Sequence, residues 1–387
     1  MVLFDPDAHE PLTADAWDPS RVRAAIRDIA EDAEAAFDDG WSTHPEDVYD
    51  EGDEERRFRT VYAGGAGVVQ ALDELQRRSL VELRRDYAPY LDREYEPDFP
   101  DEDHERSLWM GETGIRLVTQ RLAPSRANAD RLAELIAANA EDERCEVMWG
   151  SPGTMLAAAA LHELTGEARW LGLWRESAAL LEARRDADTG LWTQPLGTRP
   201  VQFIGPAHGF AGCVLALSRD ADDDLHRRAA EVTARYAVEE NGLANWLPWA
   251  SAESLRANRD GSIRTQWCHG APGVIASLAG VAPDDDEHGR LLVAGGELTW
   301  RAGPLAKGAN LCHGTAGNGY AFLALLERTG DELWLERARA FAMHAVAQVA
   351  DARTTYGRGR YSLWTGDPGT ALYLADCLAG GGSLPLP

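Results

Sequence analysis

Two short segments of the sequence contain residue types that bind transition metals. They read WCHG (267–270) and LCHG (311–314), and a third segment, AHG (207–209), has the histidine without the cysteine. In each segment the residues stand directly before a glycine that opens an apolar stretch. Equivalent positions of a repeated structure face one another, so we expect the two cysteines to meet in space.

Thiolate sulfur together with imidazole nitrogen is the donor set that zinc prefers inside cells. We predict that Cys268, Cys312 and His313 bind one zinc ion per chain. Three protein ligands leave one tetrahedral position open, which is typical of a catalytic rather than a structural site. Neighbouring residues of a regular helix point about 100° apart. Cys312 and His313 can therefore share a metal only at a bend, which Gly314 supplies.

The remaining cysteines are predicted to be core residues. Cys145, Cys213 and Cys377 lie in ordinary apolar surroundings without metal-ligand spacing. The total of five cysteines is odd, and their wide spacing offers no framework of disulfide pairs. This usage indicates a reducing compartment in which some cysteines are free to bind metal.

A Gly-x-x-Gly motif recurs seven times and defines the organisation of the chain. Each copy precedes a run rich in Ala, Leu and Val, typical of a buried helix, and amphipathic stretches lie between these runs. The motifs begin at Gly64, Gly111, Gly150, Gly209, Gly270, Gly314 and Gly366. The clearest amphipathic stretches are Ser20–Phe37, Asn128–Asn139, Leu171–Arg184, Leu225–Glu239 and Leu333–Val349.

This pattern predicts an all-α fold, an (α/α)7 toroid or barrel with seven inner helices and seven outer helices. We expect one domain over residues 1–387, in which residues 1–55 form an outer helix and an acidic segment. The inner helices would all begin at one end of the ring, where helix N-termini favour anions and thiolates. An open helical solenoid is the alternative, although neither end of the chain resembles a polar capping repeat.

Two stretches, Asp186–Ala207 and Asn241–Gln266, interrupt the helical pattern. Both contain glycine, proline and tryptophan, and loops of this length in a compact fold are usually functional or disordered. Their aromatic residues favour ordered loops that cover the end of the ring where the inner helices begin. The aromatic residues concerned are Trp192, Phe203, Trp246 and Trp249.

The glycine motifs closely resemble those of the LanC-like family, which includes bacterial lanthipeptide cyclases and animal glutathione-binding relatives. The resemblance extends over nearly the whole chain after about residue 55. It implies an α/α toroid with seven inner helices and zinc ligands at Cys268, Cys312 and His313. The segments that show it are VYAGGAGV (61–68), AHGFAG (207–212), WCHGAPGV (267–274), LCHGTAGNGYAFL (311–323) and SLWTGDPGTALYLAD (362–376).

Four further residues resemble functional positions of different branches of this family. His269 follows the first zinc cysteine as in the glutathione-binding branch, and Lys307 matches a basic residue of that branch. Arg264 resembles an active-site arginine of the cyclases, and Glu146 stands where cyclases have an aspartate. The motifs therefore leave open whether the substrate is a peptide or a small thiol.

The resemblance implies addition of a thiol to the β-carbon of dehydroalanine or dehydrobutyrine, giving a thioether. His208 and His269 are the acid–base candidates for the proton that the α-carbon receives. Arg264 would stabilise the developing oxyanion, and Glu146 would orient a histidine or cap the Gly150 helix. Lys307 is the candidate that binds the carboxylate of a thiol substrate. A dehydratase or kinase partner would supply the dehydroamino acid.

Two alternatives come from other classes of protein. The thirteen tryptophans suggest an α/α-barrel glycosidase or sugar epimerase. That chemistry needs two carboxylates facing the cavity, and no motif carries such a pair. A non-catalytic zinc or thiol-binding module is the other alternative. Turnover of a dehydroamino acid substrate separates this module from an enzyme.

Composition excludes several other functions. The formal net charge is −26, and no basic stripe is present, so nucleic acid is not an expected partner. No apolar run approaches about 18 residues, so no membrane span is expected. The opening residues MVLFDPD have neither a basic nor an apolar signal region, so we expect a cytoplasmic protein. Lys307 is the only lysine, and this depletion together with the acid excess favours adaptation to high salt. A GC-rich genome is the alternative, which would explain the preference for arginine but not the acid excess.

The net charge predicts that folding depends on ionic strength. At low salt the self-repulsion of a chain with net charge −26 destabilises the compact state. At about 1 M salt the screening length falls to about 3 Å, which removes most of that repulsion. We therefore expect a higher melting temperature in KCl at about 2 M than at about 0.05 M. An equal or lower melting temperature in the concentrated salt would contradict halophilic adaptation.

Overall fold

The computed structural model describes residues 2–48, 52, 56–100, 103–196, 200–251 and 261–386. These residues form fourteen α-helices and one two-stranded sheet. Seven helices begin directly after the first glycine of a Gly-x-x-Gly motif and form the inner layer. The inner helices are α2 (Gly65–Arg77), α4 (Glu112–Leu122), α6 (Ser151–Thr165), α8 (Phe210–Leu217), α10 (Ala271–Leu278), α12 (Thr315–Thr329) and α14 (Asp367–Ala379).

The outer layer contains six helices of 14 to 24 residues and one short helix. The long outer helices are α1 (Pro19–Ala35), α5 (Arg126–Asn139), α7 (Ala168–Ala183), α9 (Asp223–Tyr236), α11 (Asp286–Ala302) and α13 (Leu333–Tyr356). The remaining outer position is filled by α3 (Ala88–Leu91), which has four residues. Pro89, Pro97 and Pro100 lie in or near this part of the chain, and proline removes the N–H donors that a longer helix needs.

The inner helices form a closed ring. Each contacts the next one along the chain, and the last, α14, contacts the first, α2. Helix α1 packs against α14 and α13, so it fills the outer position that follows α13 around the ring. An open solenoid would leave its terminal repeats apart. The predicted (α/α)7 toroid is therefore confirmed.

Close approach of the second glycine of each motif to the backbone explains the repeat. A Cβ atom built on Gly317 would lie 1.8 Å from the carbonyl oxygen of Leu311, six residues earlier. The other six motifs show the same contact to the carbonyl six residues earlier, at 1.8 to 2.3 Å. Only glycine, which has no Cβ atom, allows each helix to pack this tightly on the loop that leads into it.

The same loops bind the N–H groups at the start of the inner helices. In α12, the N–H of Thr315 donates to the carbonyl of Gly308 and that of Ala316 donates to the carbonyl of Ala309. Helices α2, α4, α8 and α14 show the same pairing across seven residues. These N–H groups already have partners and are not available to a bound anion. The expectation that the helix N-termini favour anions and thiolates at this end of the ring stays a prediction.

The two irregular stretches are ordered where they are described. Strands β1 (Ala237–Glu240) and β2 (Leu243–Trp246) form a hairpin through an Asn-Gly turn in which both residues have positive φ. Trp192 and Trp246 are fully buried, and their indole N–H groups donate to carbonyls of the outer layer. Phe203 packs against His208 and His269, which lie directly before two inner helices, and Trp249 packs against Phe203. Residues 197–199 and 252–260 lie outside the described residues.

No helix in the described part of the chain is long and apolar enough to cross a membrane.

The cysteines predicted to be core residues, Cys145, Cys213 and Cys377, are all buried, and the Cys213 thiol donates to the carbonyl of Cys145 at 3.1 Å. Their burial confirms that these three cysteines belong to the packing of the ring.

The close glycine contact predicts the effect of an added methyl group. We expect Gly317→Ala to lower the free energy of unfolding by about 2–3 kcal/mol, because the new Cβ overlaps the Leu311 carbonyl. Gly172 is the matched control, since it lies within helix α7 with no atom within 4 Å of a built Cβ. Gly172→Ala should raise the free energy of unfolding by about 0.5–1 kcal/mol. Urea-denaturation midpoints measure both, and equal effects would contradict this account.

Candidate functional site

A chain of backbone hydrogen bonds links the residues that stand two positions before the first glycine of successive motifs. The N–H of one such residue donates to the carbonyl of the equivalent residue in the next motif around the ring. The bonds run from Cys268 to Cys312 at 3.1 Å, from Cys312 to Trp364 at 2.8 Å, from Trp364 to Tyr62 at 3.4 Å and from Tyr62 to Trp109 at 2.9 Å. The ring thus brings the two predicted zinc-binding cysteines side by side.

The two cysteine sulfurs form a pair surrounded by hydrogen-bond donors. The thiol of Cys312 donates to the sulfur of Cys268, and this bond lowers the pKa of Cys268 to about 7 against the opposing effect of burial. The side-chain amide of Gln266 donates to Cys268 Sγ at 2.9 Å, and the hydroxyl of Tyr62 donates to Cys312 Sγ at 3.0 Å. Cys312 is the proton donor of the pair, and its contact with Cys268 together with burial raises its pKa.

The third predicted ligand, His313, does not join the sulfur pair. Within the described ranges, no three side chains of His, Cys, Asp or Glu come together as a metal-binding group. The backbone N–H of His313 donates to the side chain of Asn310 at 3.0 Å. Burial and the nearby charges of Lys307 and Arg360 lower the pKa of His313 to about 4, so its ring is neutral and its lone pair is available. The donor chemistry around Cys268 and Cys312 therefore fits zinc, while the third donor is not assembled.

His208 is held by Glu146. Nδ1 of His208 lies 3.0 Å from Oε2 of Glu146, and an ionised carboxylate only accepts, so Nδ1 carries the hydrogen. Glu146 has no exposed surface and also accepts from the backbone N–H groups of Met148, Trp149 and Gly150 at the start of α6. This carboxylate thus orients the histidine and holds the loop that leads into α6.

His269 lies beside His208 in a partly aromatic environment. The two ring centres are 6.4 Å apart, and Phe203 packs against both rings. Trp149 stacks on the other side of His208 at 5.0 Å. Nδ1 of His269 is buried without a hydrogen-bond partner, and burial lowers the pKa of His269 to about 3, with the charges of His208, Arg264 and Lys307 acting in the same direction.

Two exposed cations lie on separate loops beside this site. Arg264 precedes Cys268 by four residues, and its charge helps to lower the pKa of both Cys268 and His269. Lys307 precedes Cys312 by five residues, and its charge acts on His269, Cys312 and His313. The six predicted positions Cys268, Cys312, His208, His269, Arg264 and Lys307 therefore share one end of the ring, with Glu146 behind His208.

Sequence reasoning missed three residues of this site. Tyr62 stands at the same position of its motif as Cys312 does, and that register was a signal that a residue of the first repeat faces the metal ligands. Gln266 has no comparable signal. Asn245 is buried on strand β2, where its side-chain oxygen accepts from the N–H of Ala271 at 2.7 Å and so caps α10.

Comparisons with known proteins agree with this geometry. The family model "Lanthionine synthetase C-like protein" matches residues 59–385. The chain is 33% identical over 189 residues to "LanC-like protein GCL1" of Arabidopsis thaliana, covering 47% of this chain and 42% of that protein. It is 32% identical over 194 residues to "Glutathione S-transferase LANCL1" of Danio rerio, covering 46% of this chain and 43% of that protein. The matched stretch thus spans less than half the length of these relatives.

A solved structure shares the fold. "Nisin cyclase" superposes with a TM-score of 0.55 and 16% identity, over 84% of this chain and 94% of that structure. This likeness independently supports the closed α/α ring. The family model covers all seven motifs and both Cys-His-Gly segments, and so the chain belongs to the lanthionine synthetase C-like family.

Proposed function

We propose that this protein joins a thiol to the β-carbon of a dehydroalanine or dehydrobutyrine residue and so forms a thioether. The observation that carries the proposal is the backbone hydrogen bond that sets Cys268 beside Cys312, with Gln266 and Tyr62 donating to their sulfurs, at the same end of the ring as His208 in its hydrogen bond to Glu146. Membership of the lanthionine synthetase C-like family supports a reaction that forms a carbon–sulfur bond. A relative named as a cyclase and another named as a glutathione transferase are consistent with it.

Cys268, Cys312 and His313 would hold the one zinc ion that we propose for each chain. The two thiolates and the neutral imidazole are donors that zinc prefers. Bound zinc would supply the positive charge that keeps a substrate thiol deprotonated at neutral pH. Gln266 and Tyr62 can still donate to the sulfurs when these are ligands, and such outer hydrogen bonds orient ligands and tune their basicity.

The side chains around the sulfurs divide the remaining work. The substrate sulfur forms a bond to the β-carbon, the electron pair of the C=C bond moves towards the carbonyl oxygen, and the α-carbon then takes up a proton. The guanidinium of Arg264 stabilises the charge that develops on that oxygen. Nε2 of His208 takes the proton that the substrate thiol releases and then delivers it to the α-carbon, because Glu146 accepts from Nδ1–H and so leaves Nε2 for the transfer. His269 is the second acid–base candidate, but it lacks such an orienting partner.

The substrate thiol belongs either to a peptide or to a small molecule such as glutathione. Lys307 favours a thiol with a carboxylate, because a compact ammonium on a flexible stem acts as a point charge for an anion. A peptide substrate would need a dehydratase or a kinase partner to generate its dehydroamino acid. The glycosidase alternative lacks support, since the carboxylate beside His208, Glu146, is fully buried and cannot face a sugar.

Loss of one sulfur should remove both the metal and the reaction. Elemental analysis of the purified protein should show about one equivalent of zinc, and Cys312→Ala should lose most of it. The same variant should lose thioether formation on a dehydroalanine peptide, which mass spectrometry measures. Cys377→Ala is the control, because Cys377 is a buried thiol in α14 away from the site. Full zinc content in a Cys268→Ala, Cys312→Ala double variant would refute the ligand assignment. One equivalent of zinc without turnover would instead favour the non-catalytic module.

Lys307 should bind thiols that have a carboxylate more tightly than neutral thiols. We expect Lys307→Ala to raise KM for an acidic thiol such as glutathione about tenfold, the loss of one charge-assisted hydrogen bond, and to leave KM for a neutral thiol unchanged. Arg126→Ala serves as the control, because the Arg126 side chain is 94% exposed on an outer helix. Equal changes for both thiols would show that Lys307 does not recognise the substrate carboxylate.

A further inference from the structure

The first residues of the chain lie across the two loops that carry Arg264 and Lys307. We call residues Val2–Thr13 the N-terminal strap. The strap precedes the family-matched region, which begins at residue 59, and it contains no residue of the site described above. Its hydrogen bonds nevertheless concentrate on residues next to the two exposed cations, so its contacts bear on how those cations are positioned.

The beginning of the strap binds the Arg264 loop. Val2 pairs with Ser262 in a parallel bridge, and the N–H of Ile263 donates to the Val2 carbonyl at 3.2 Å. The side-chain amide of Asn245 donates to the Leu3 carbonyl at 2.7 Å. Leu3 itself is buried in the core. The strap is thus attached to the residue directly before Arg264 by backbone pairing and by a buried side chain.

The middle of the strap binds the Lys307 loop. Three consecutive carbonyls of this loop, those of residues 303–305, each accept a hydrogen bond. Nδ1 of His9 donates to the first carbonyl, that of residue 303, at 2.8 Å, and the N–H of Glu10 donates to the second at 2.9 Å. The third, that of residue 305, accepts from the side-chain amide of Gln348 in α13 at 2.8 Å. The N–H of Ala306 then donates to the carbonyl of Ala8 at 3.0 Å. Every residue from 303 to 306 is therefore held immediately before Lys307.

The side chain of Glu10 connects the strap to helix α13. Its Oε1 lies 2.6 Å from Nε2 of His344 and 2.6 Å from the side-chain nitrogen of Gln348. The N–H of Thr13 donates to Nδ1 of His344, so Nε2 of this buried histidine carries the hydrogen and donates to Glu10. One carboxylate oxygen thereby accepts from two residues of α13, and one of these, Gln348, also binds the Lys307 loop.

We infer that the N-terminal strap is a positioning element that holds the Arg264 and Lys307 loops at a fixed separation over the sulfur pair, with Glu10 as its principal positioning residue. The inference rests on the proposed function, because it assigns the strap an effect on the thiol that Lys307 binds. Glu10 does not touch the substrate. It acts by fixing the backbone that carries Lys307, so its loss should weaken thiol binding more than the chemical step.

Hydrogen exchange tests the hold on the loop without any activity. In the full-length, metal-loaded protein, Glu10→Ala should accelerate exchange of the amides in residues 303–308 about tenfold, because two to three hydrogen bonds are loosened. Glu10→Gln keeps an acceptor oxygen and should change the rate much less. Glu31→Ala removes an exposed glutamate of α1 and should leave the rate unchanged. Equal exchange in Glu10→Ala and wild type would overturn the inference.

A double-mutant cycle tests the functional consequence. Glu10→Ala should raise KM for an acidic thiol about fivefold with little change in kcat, and it should add no further effect in a Lys307→Ala background. Additive effects would show that the strap does not act through Lys307. If Lys307→Ala alone left KM for the acidic thiol unchanged, the proposed substrate role of Lys307 would fail, whereas faster exchange in Glu10→Ala would still support the hold on the loop.

If Glu10→Ala does not fold, Leu3→Ala tests the inference at the other end of the strap. Leu3 anchors the other end of the strap, and its truncation should accelerate exchange of the Ile263 amide while the zinc content stays at about one equivalent. Unchanged exchange at Ile263 in a folded Leu3→Ala protein would overturn the inference at the Arg264 end.

Discussion

The architecture depends on one steric constraint, the close approach of a glycine Cα to the carbonyl oxygen six residues earlier. The approach leaves no space for a Cβ atom at any of the seven motifs. It fixes the angle between each inner helix and the loop before it, and in five of the seven motifs the residues two positions before the motif are hydrogen-bonded to one another around the ring. The hydrogen-bonded chain through Cys268, Cys312, Trp364 and Tyr62 follows from that repetition. The backbone geometry of the repeats therefore positions the two sulfurs.

The site concentrates positive charge in a strongly acidic protein. With a net charge of −26, most of the surface repels a carboxylate-bearing thiol. Arg264 and Lys307 oppose that field at the end of the ring where the sulfurs lie, and each is exposed. The carboxylate that contacts His208, that of Glu146, lies in the interior, where three backbone N–H groups bind it.

The sequence allowed most of the fold to be predicted, because the glycine motif and the apolar runs are local patterns that repeat. The meeting of Cys268 and Cys312 could also be predicted, since both occupy the same position of a repeat. The donors from Gln266 and Asn245 could not be predicted, because they depend on side-chain directions in irregular loops. Trp192 and Trp246 were expected in loops over the end of the ring because those loops are rich in aromatic residues. Their indole N–H groups instead donate to buried carbonyls of the outer layer. The contacts of the strap with the two loops join residues more than 240 positions apart and leave no periodic signal.

Closure of the ring has a consequence for the order of folding. Helix α14 must dock on α2, and the hydroxyl of Tyr62 must reach Cys312 across 250 residues. Contacts of such sequence separation incur a large loop-closure entropy before they form, and they slow folding. During synthesis, the repeat that contains Trp364 emerges last, although both of its neighbours in the hydrogen-bonded chain are already present. The Tyr62 hydroxyl therefore reaches the sulfur of Cys312 only once the first repeat has closed on the last repeats of the ring.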